Sequence, residues 1–109
     1  MKHTVQRGLS VEALCASVPS RYRPQLPTGL REPKYTLLLF RNDRDDVILS
    51  RSVKSALADV ANESGPLVAV GGCFTAEGLE LLQARQAIIL QLAEFFWTDE
   101  SYLAIRTRR

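Results

Sequence analysis

Three nearly continuous apolar runs alternate with two amphipathic segments along the middle of the chain. The runs lie at 35–40, 67–70 and 87–92. They are short and show little polar alternation, which is typical of strands covered on both faces. Between them, apolar residues recur at helical spacing and predict helices over 50–63 and about 75–86. The middle of the chain is therefore predicted to be β-α-β-α-β.

Capping residues indicate where these helices begin. Thr75 precedes the second helix and is predicted to be its N-cap, because a threonine hydroxyl accepts a bond from the first turn. The first helix begins at Ser50 or Ser52. Residues 47–49 are either its first turn or a separate extended piece, and the pattern leaves both alternatives open.

The N-terminal third has a weaker pattern. A short helix over 10–17 with Ser10 as its cap is predicted, and it ends before Pro19. Residues 19–33 contain four prolines and a glycine, which indicates an irregular connection. A short edge strand within that segment is the alternative. The residues before the helix, including His3, are predicted to form a mobile terminus.

Strands joined by helices through short connections favour parallel pairing and right-handed crossovers. We therefore expect a three-layer α/β fold with a small, mostly parallel sheet and with N-terminal and C-terminal helices. The whole chain, 1–109, is predicted to be one domain. It would comprise a helix and proline-rich lead-in (1–33), the core (34–92) and a C-terminal helical segment (93–109).

Composition places limits on the class of protein. The chain has 109 residues, 46% of them hydrophobic, and a formal net charge of +2, which suits one modest globular core. Its cysteines, Cys15 and Cys73, lack CxxC spacing and favour a reducing compartment. The sequence shows neither a secretory leader nor an apolar run of membrane-spanning length. We expect a cytoplasmic protein without a membrane partner.

One turn could bind an anion. A strand ends and a helix begins at the candidate residues Gly71, Gly72, Cys73 and Thr75, where α/β proteins often use free backbone N–H groups. The turn is neither GxGxxG nor a P-loop. A nucleophilic role for Cys73 would need a base, and the single histidine, His3, is far away in sequence. No catalytic residue, metal site or cofactor is predicted.

Two further groups of residues could contact a partner. Arginines cluster in two segments and could bind nucleic-acid phosphates; the candidates are Arg21, Arg23, Arg106 and Arg108. Aromatic side chains near the C-terminus are typical of protein interfaces, core packing or base stacking; the interface candidates are Phe95, Phe96, Trp97 and Tyr102.

The segment from Tyr35 to about Phe96 resembles the second half of Mrr-type domains of the restriction-endonuclease-like fold. The matching text is LFRN at 39–42, LVAVGGCFTAEGLEL at 67–81, and the third strand followed by AEFF. Nucleases of that family hold Mg²⁺ with an acidic residue on one strand and Glu/Gln-x-Lys on the next. The corresponding positions here are Leu39 and Arg41, which can neither ligate the metal nor act as a base. The resemblance implies a truncated, degenerate and inactive relative.

Three functions follow from these observations. The first is a non-catalytic protein-interaction or regulatory module, expected to be a homodimer. The second is a nucleic-acid-binding remnant of a nuclease. The third is a small enzyme with an anion site at the 71–75 turn.

Overall fold

The computed structural model describes residues 3–41, 47–93 and 97–107. Six strands and four α-helices are found in these ranges. In chain order the elements are β1 (His3–Leu9), α1 (Val11–Ser17), a 3₁₀ helix (Arg23–Gln25), β2 (Tyr35–Phe40), β3 (Val47–Ile48), α2 (Ser50–Asp59), β4 (Leu67–Gly71), β5 (Cys73–Phe74), α3 (Ala76–Ala84), β6 (Ile88–Gln91) and α4 (Asp99–Thr107).

The main sheet has four strands in the order β1-β2-β4-β6. The strands β2, β4 and β6 are parallel, as the alternation of strands and helices predicts, whereas β1 runs antiparallel to β2. The short strands β3 and β5 form a second, parallel pair. The mixed α/β class with a mostly parallel sheet is confirmed.

Each face of the main sheet carries its own apolar core. On one face, α2 and α3 pack against residues such as Leu38, Ala69 and Phe74. On the other face, Leu14 of α1 and Tyr22 of the following segment pack against neighbours that include Leu37, Val68 and Val70. Because β2 and β4 are covered on both sides, their side chains are apolar without alternation. The sheet is thus the middle of three layers.

The helices are short and held by packing rather than by length. Ser10 caps α1 and Thr75 caps α3, as predicted. The α2 and α3 helices approach closely at Gly78, where a Cβ would lie 3.2 Å from Val53 Cγ2. Within the described ranges, no helix has both the length and the apolar character needed to cross a membrane.

The prediction of a mobile N-terminus is wrong. Residues His3–Leu9 form the edge strand β1, and His3 is only 5% exposed. The Nε2 atom of His3 lies 2.6 Å from a carboxylate oxygen of Asp59 on α2, and Arg7 bonds to Glu63. These contacts hold a strand whose polar composition gives little sign of burial.

Several predicted boundaries also change. Residues 19–33 are irregular apart from one 3₁₀ turn, and the edge strand proposed there is absent from the described chain. The extended alternative is correct at 47–48, so Leu49 rather than a serine occupies the N-cap position of α2. That helix ends at Asp59 and α3 ends at Ala84. Both helices are shorter than predicted. The apolar periodicity continues into the turns that follow them, and this is why the prediction ran too far.

The C-terminal helix α4 is present, with Thr98 capping it through a 2.9 Å bond from Ser101 N–H. It packs at the N-terminal ends of α2 and α3, and its buried residue Tyr102 belongs to neither face core. Cover of a sheet face by this helix, as the layer argument suggested, is therefore not observed. Residues 94–96 and 108–109 of the predicted helical segment lie outside the described residues.

Candidate functional site

A polar cluster joins the N-termini of three helices beyond the carboxyl ends of the parallel strands. We call its four residues the Asp99 cluster: Ser50 of α2, Thr75 at the start of α3, Glu77 of α3 and Asp99 of α4. This end of a parallel sheet is where α/β proteins commonly bind ligands. The chemistry of the cluster therefore decides whether the fold offers a ligand site here.

Asp99 is the centre of the cluster. Its Oδ1 accepts hydrogen bonds from the backbone N–H of Ser50, at 3.1 Å, and from the hydroxyl of Thr75, at 2.5 Å. Its Oδ2 accepts a bond from the Ser50 hydroxyl. Since Leu49 offers α2 no capping side chain, the carboxylate of Asp99 caps that helix from another part of the chain.

Glu77 performs the same task for α4. Its two carboxylate oxygens accept from the backbone N–H of Asp99 at 3.2 and 3.0 Å. In return, the carbonyl of Trp97 accepts a 2.6 Å bond from Ala76 N–H, at the start of α3. The two helix N-termini thus cap each other: Glu77 of α3 accepts from the first residue of α4, and Trp97, just before α4, accepts from the first residue of α3.

These contacts perturb the titration of Asp99. Burial acts to raise its pKa, but hydrogen bonds from the side chains of Ser50 and Thr75 and from the Ser50 amide, together with the charge of Lys54, outweigh it. The net effect lowers the pKa of Asp99 below its ordinary value of 3.8. The carboxylate is therefore ionised at neutral pH and acts as a fixed negative charge.

The predicted anion site lies beside this charge. All four of its residues, Gly71, Gly72, Cys73 and Thr75, are buried. A Cβ at Gly71 would overlap Ile48 Cδ1 and lie 2.8 Å from Phe74 Cζ, so this glycine permits close packing. Thr75 uses its hydroxyl to bind Asp99 and to cap Gly78 N–H. The carboxylate of Asp99 thus places a negative charge of the protein itself beside Thr75.

Leu39 and Arg41, the two positions singled out by the predicted resemblance, have different surroundings. Leu39 is half-buried in the core beneath α1, and Arg41 is exposed after β2 ends. Within the described ranges, no group of three or more His, Cys, Asp or Glu side chains could hold a metal ion.

The arginines predicted to bind nucleic acid have different surroundings. Arg23 donates to the carbonyls of Val18 and Ala16 near the end of α1, at 2.9 and 3.3 Å. Arg21 is exposed, with its guanidinium 6.0 Å from the ring centroid of Tyr22. Arg106 belongs to the last part of α4, and Arg108 lies outside the described residues.

The predicted aromatic interface is described only in part, since Phe95 and Phe96 lie outside the described residues. Trp97 and Tyr102 meet edge-to-face with ring centroids 6.5 Å apart, and Tyr102 is buried. The contact between the two rings joins Trp97, just before α4, to the first turns of that helix.

The apolar side chains that do face solvent lie close by in sequence. Among the described residues, the exposed large hydrophobics are Leu92, Leu103 and Ile105, at 39, 42 and 46%. All three lie in the C-terminal segment that begins at the end of β6.

The strand β6 forms one edge of the main sheet, and the side chain of Gln25 binds the outward backbone groups at its end. The amide of Gln25 donates to the carbonyl of Gln91 at 2.6 Å and accepts from its N–H at 3.1 Å. It thus bonds β6 as a neighbouring strand would, and no strand pairs there among the described residues. Sequence reasoning missed both this pair and the Asp99 cluster, because the partners are 66 and 49 residues apart along the chain.

No protein-family model, curated protein or solved structure matches this chain. The resemblance to restriction-endonuclease-like domains therefore stays a prediction. What the chain does has to be argued from its own geometry.

Proposed function

We propose that this chain is a non-catalytic protein-interaction module that forms a homodimer. The observation that carries the proposal is the concentration of exposed large hydrophobic side chains in the stretch from Leu92 to Ile105. The buried core of a protein interface is more apolar than the rest of the protein surface.

The use of the polar groups supports the same proposal. Asp99 and Glu77 stand where an α/β enzyme would keep its reactive groups, and both are engaged in capping helices. In the described part of the chain, no buried polar side-chain atom lacks a hydrogen-bond partner. A cluster whose donors and acceptors satisfy each other favours a structural role over a catalytic one.

Light scattering after size-exclusion chromatography tests the proposal. The full chain is run at several loading concentrations, and its mass is compared with the 12.2 kDa of one chain. We expect a mass that rises toward twice that value with concentration. Leu103→Lys should weaken association, whereas Ala61→Lys, at an exposed position in the turn after α2, is the control. A strictly monomeric chain at every concentration would overturn the homodimer.

Nucleic-acid binding is the second candidate, favoured by the exposed guanidinium of Arg21 beside Tyr22. Fluorescence anisotropy with labelled DNA at low salt tests it. Phosphate contacts would give an affinity that falls steeply as salt is added. The absence of binding at low salt would remove this candidate.

A cytoplasmic location is part of the proposal. Within the described ranges both cysteines are free, with Cys15 exposed and Cys73 buried. An exposed thiol persists in a reducing compartment and is easily oxidised outside it. Fractionation of cells that express a tagged chain would test the assignment, and recovery in a secreted fraction would contradict it.

A further inference from the structure

We infer that two copies of this chain pair through the open edge of β6, Ile89 against Ile89, to make one continuous sheet. The inference rests on the proposed homodimer and names the element that forms it. Three observations carry it: the direction of the backbone groups of β6, the groups that bound its free stretch, and its uncharged composition.

The backbone of Ile89 faces the open side of the sheet. Along a parallel strand, successive residues direct their N–H and C=O groups to opposite neighbours. Gln91 directs both groups to Gln25, away from β4, and Leu92 N–H turns back to Gly72. By this alternation Ile89 faces the same way as Gln91. No partner for these Ile89 groups is found among the described residues.

The available stretch of edge is short and has defined limits. At one end, Gln25 occupies both backbone groups of Gln91. At the other end, Ala87 N–H is committed to the carbonyl of Leu82. Three residues remain between these limits, and Ile89 is at their centre. An antiparallel partner centred on Ile89 would therefore bond to these three residues, with its own Ala87 opposite Gln91 and next to Gln25.

A second copy satisfies this stretch by symmetry. In an antiparallel pair centred on a two-fold axis, each Ile89 donates its N–H to the other Ile89 and accepts in return. Ile88 of each copy then stands opposite Leu90 of the other, so every cross-strand pair is aliphatic. β6 carries no charged residue, so the pairing opposes no like charges.

The opposite edge of the sheet would not pair with itself in this way. β1 carries Arg7 and a register shift between Gln6 and Leu9. Charges and bulges are the devices by which proteins keep edge strands from pairing. β6 has neither, which is why we assign the dimer to it.

Ile89→Pro tests the inference. Proline removes the outward N–H, which has no intrachain partner, and such positions on edge strands tolerate it. Ile89→Ala is the matched control, because it loses more of the side chain and keeps the N–H. We expect the dimer dissociation constant to rise at least about tenfold in Ile89→Pro and less in Ile89→Ala. Circular dichroism establishes that each variant is folded.

Gln25→Ala provides a second test that leaves β6 intact. Removing the amide uncovers the outward backbone groups of Gln91 and gives Ala87 of the partner room to approach them, so this variant should dimerise more tightly than the wild type. Gln83→Ala, another exposed glutamine replaced by alanine, should leave the dissociation constant unchanged.

The outcomes separate the two proposals. A wild-type dimer that persists in folded Ile89→Pro and is not tightened by Gln25→Ala would overturn the β6 pairing and leave the homodimer in place. A wild type that is monomeric at every concentration would overturn the homodimer itself.

Discussion

The two edges of the main sheet are protected in opposite ways. β1 is seven residues long and contains a bulge; His3–Asp59 at 2.6 Å ties it to α2, and Arg7–Glu63 at 2.7 Å ties it to the segment after that helix. β6 is four residues long and uncharged, and one glutamine covers one end of it. Both strands leave backbone groups without a neighbouring strand, yet only β6 presents them in a form that another strand could accept.

The difference shows how the polarity of an edge strand's side chains affects whether the strand can pair with a second strand. On β1 the charged and polar side chains fasten the strand to its own helix and make it a poor template for a second strand. On β6 the apolar side chains serve the two face cores and leave the edge itself neutral. The four predictions that follow act on this contrast, from the largest expected effect to the smallest.

Asp59→Ala should loosen the β1 edge. His3 is buried, and without the carboxylate its ring nitrogen would lose the partner that Asp59 provides. An unsatisfied buried polar group destabilises by about 1–3 kcal/mol, so the free energy of unfolding in urea should fall by that amount. Asp59→Asn keeps an oxygen acceptor and should lose less. Equal losses in the two variants would show that the hydrogen bond is not what holds β1.

Acid should release α4, which follows β6 in the chain, before it unfolds the sheet. Because the pKa of Asp99 is lowered in the folded state, its stabilisation is full at neutral pH and is lost as the pH falls below 3.8. The single tryptophan, Trp97, lies against Tyr102 and reports on α4 by fluorescence. A transition is expected in the wild type and should be reduced in Asp99→Asn. The same transition in both would assign it to other carboxylates.

Gly8→Ala should strain the bulge of β1. Gly8 has φ +68°, a conformation that costs other residues about 1 kcal/mol, while the nearest atom to its Cβ would be an ordinary 3.9 Å away. The unfolding free energy should therefore fall by about 1 kcal/mol through backbone strain alone. Gly65→Ala, at a negative or extended φ with only a 3.6 Å contact, is the control and should change little. A neutral Gly8→Ala would mean that the bulge relaxes freely.

Gln25→Ala should have the smallest effect on the stability of the monomer. It removes two exposed side-chain hydrogen bonds that water can replace, so the free energy of unfolding in dilute solution should fall by only about 0.5 kcal/mol in all. A large loss of stability would mean that the glutamine supports the fold rather than merely covering the edge.

The sequence predicted the centre of the fold well. The run from Tyr35 to Phe40 is apolar because both faces of β2 are covered, and Thr75 caps α3 as its hydroxyl and position require. These features depend on neighbours within a few residues or on burial itself. Local patterns record them directly.

The features that were missed depend on distant partners. His3 is buried although its neighbours are polar, since Asp59 supplies its partner from 56 residues away. In the sequence Asp99 is an ordinary first-turn acid, and only the tertiary structure brings its carboxylate to Ser50 and Thr75. For the same reason, the sequence offered residues 71–75 as a candidate anion site without indicating that the carboxylate of Asp99 binds Thr75.

Hydrogen exchange at the Ile89 amide, followed by NMR as the chain is diluted, tests the pairing of β6 most directly. The account predicts rapid exchange in dilute solution, where this N–H faces solvent, and slow exchange at concentrations where the chain dimerises. Slow exchange in the dilute monomer, or rapid exchange in a solution that light scattering shows to be dimeric, would contradict it.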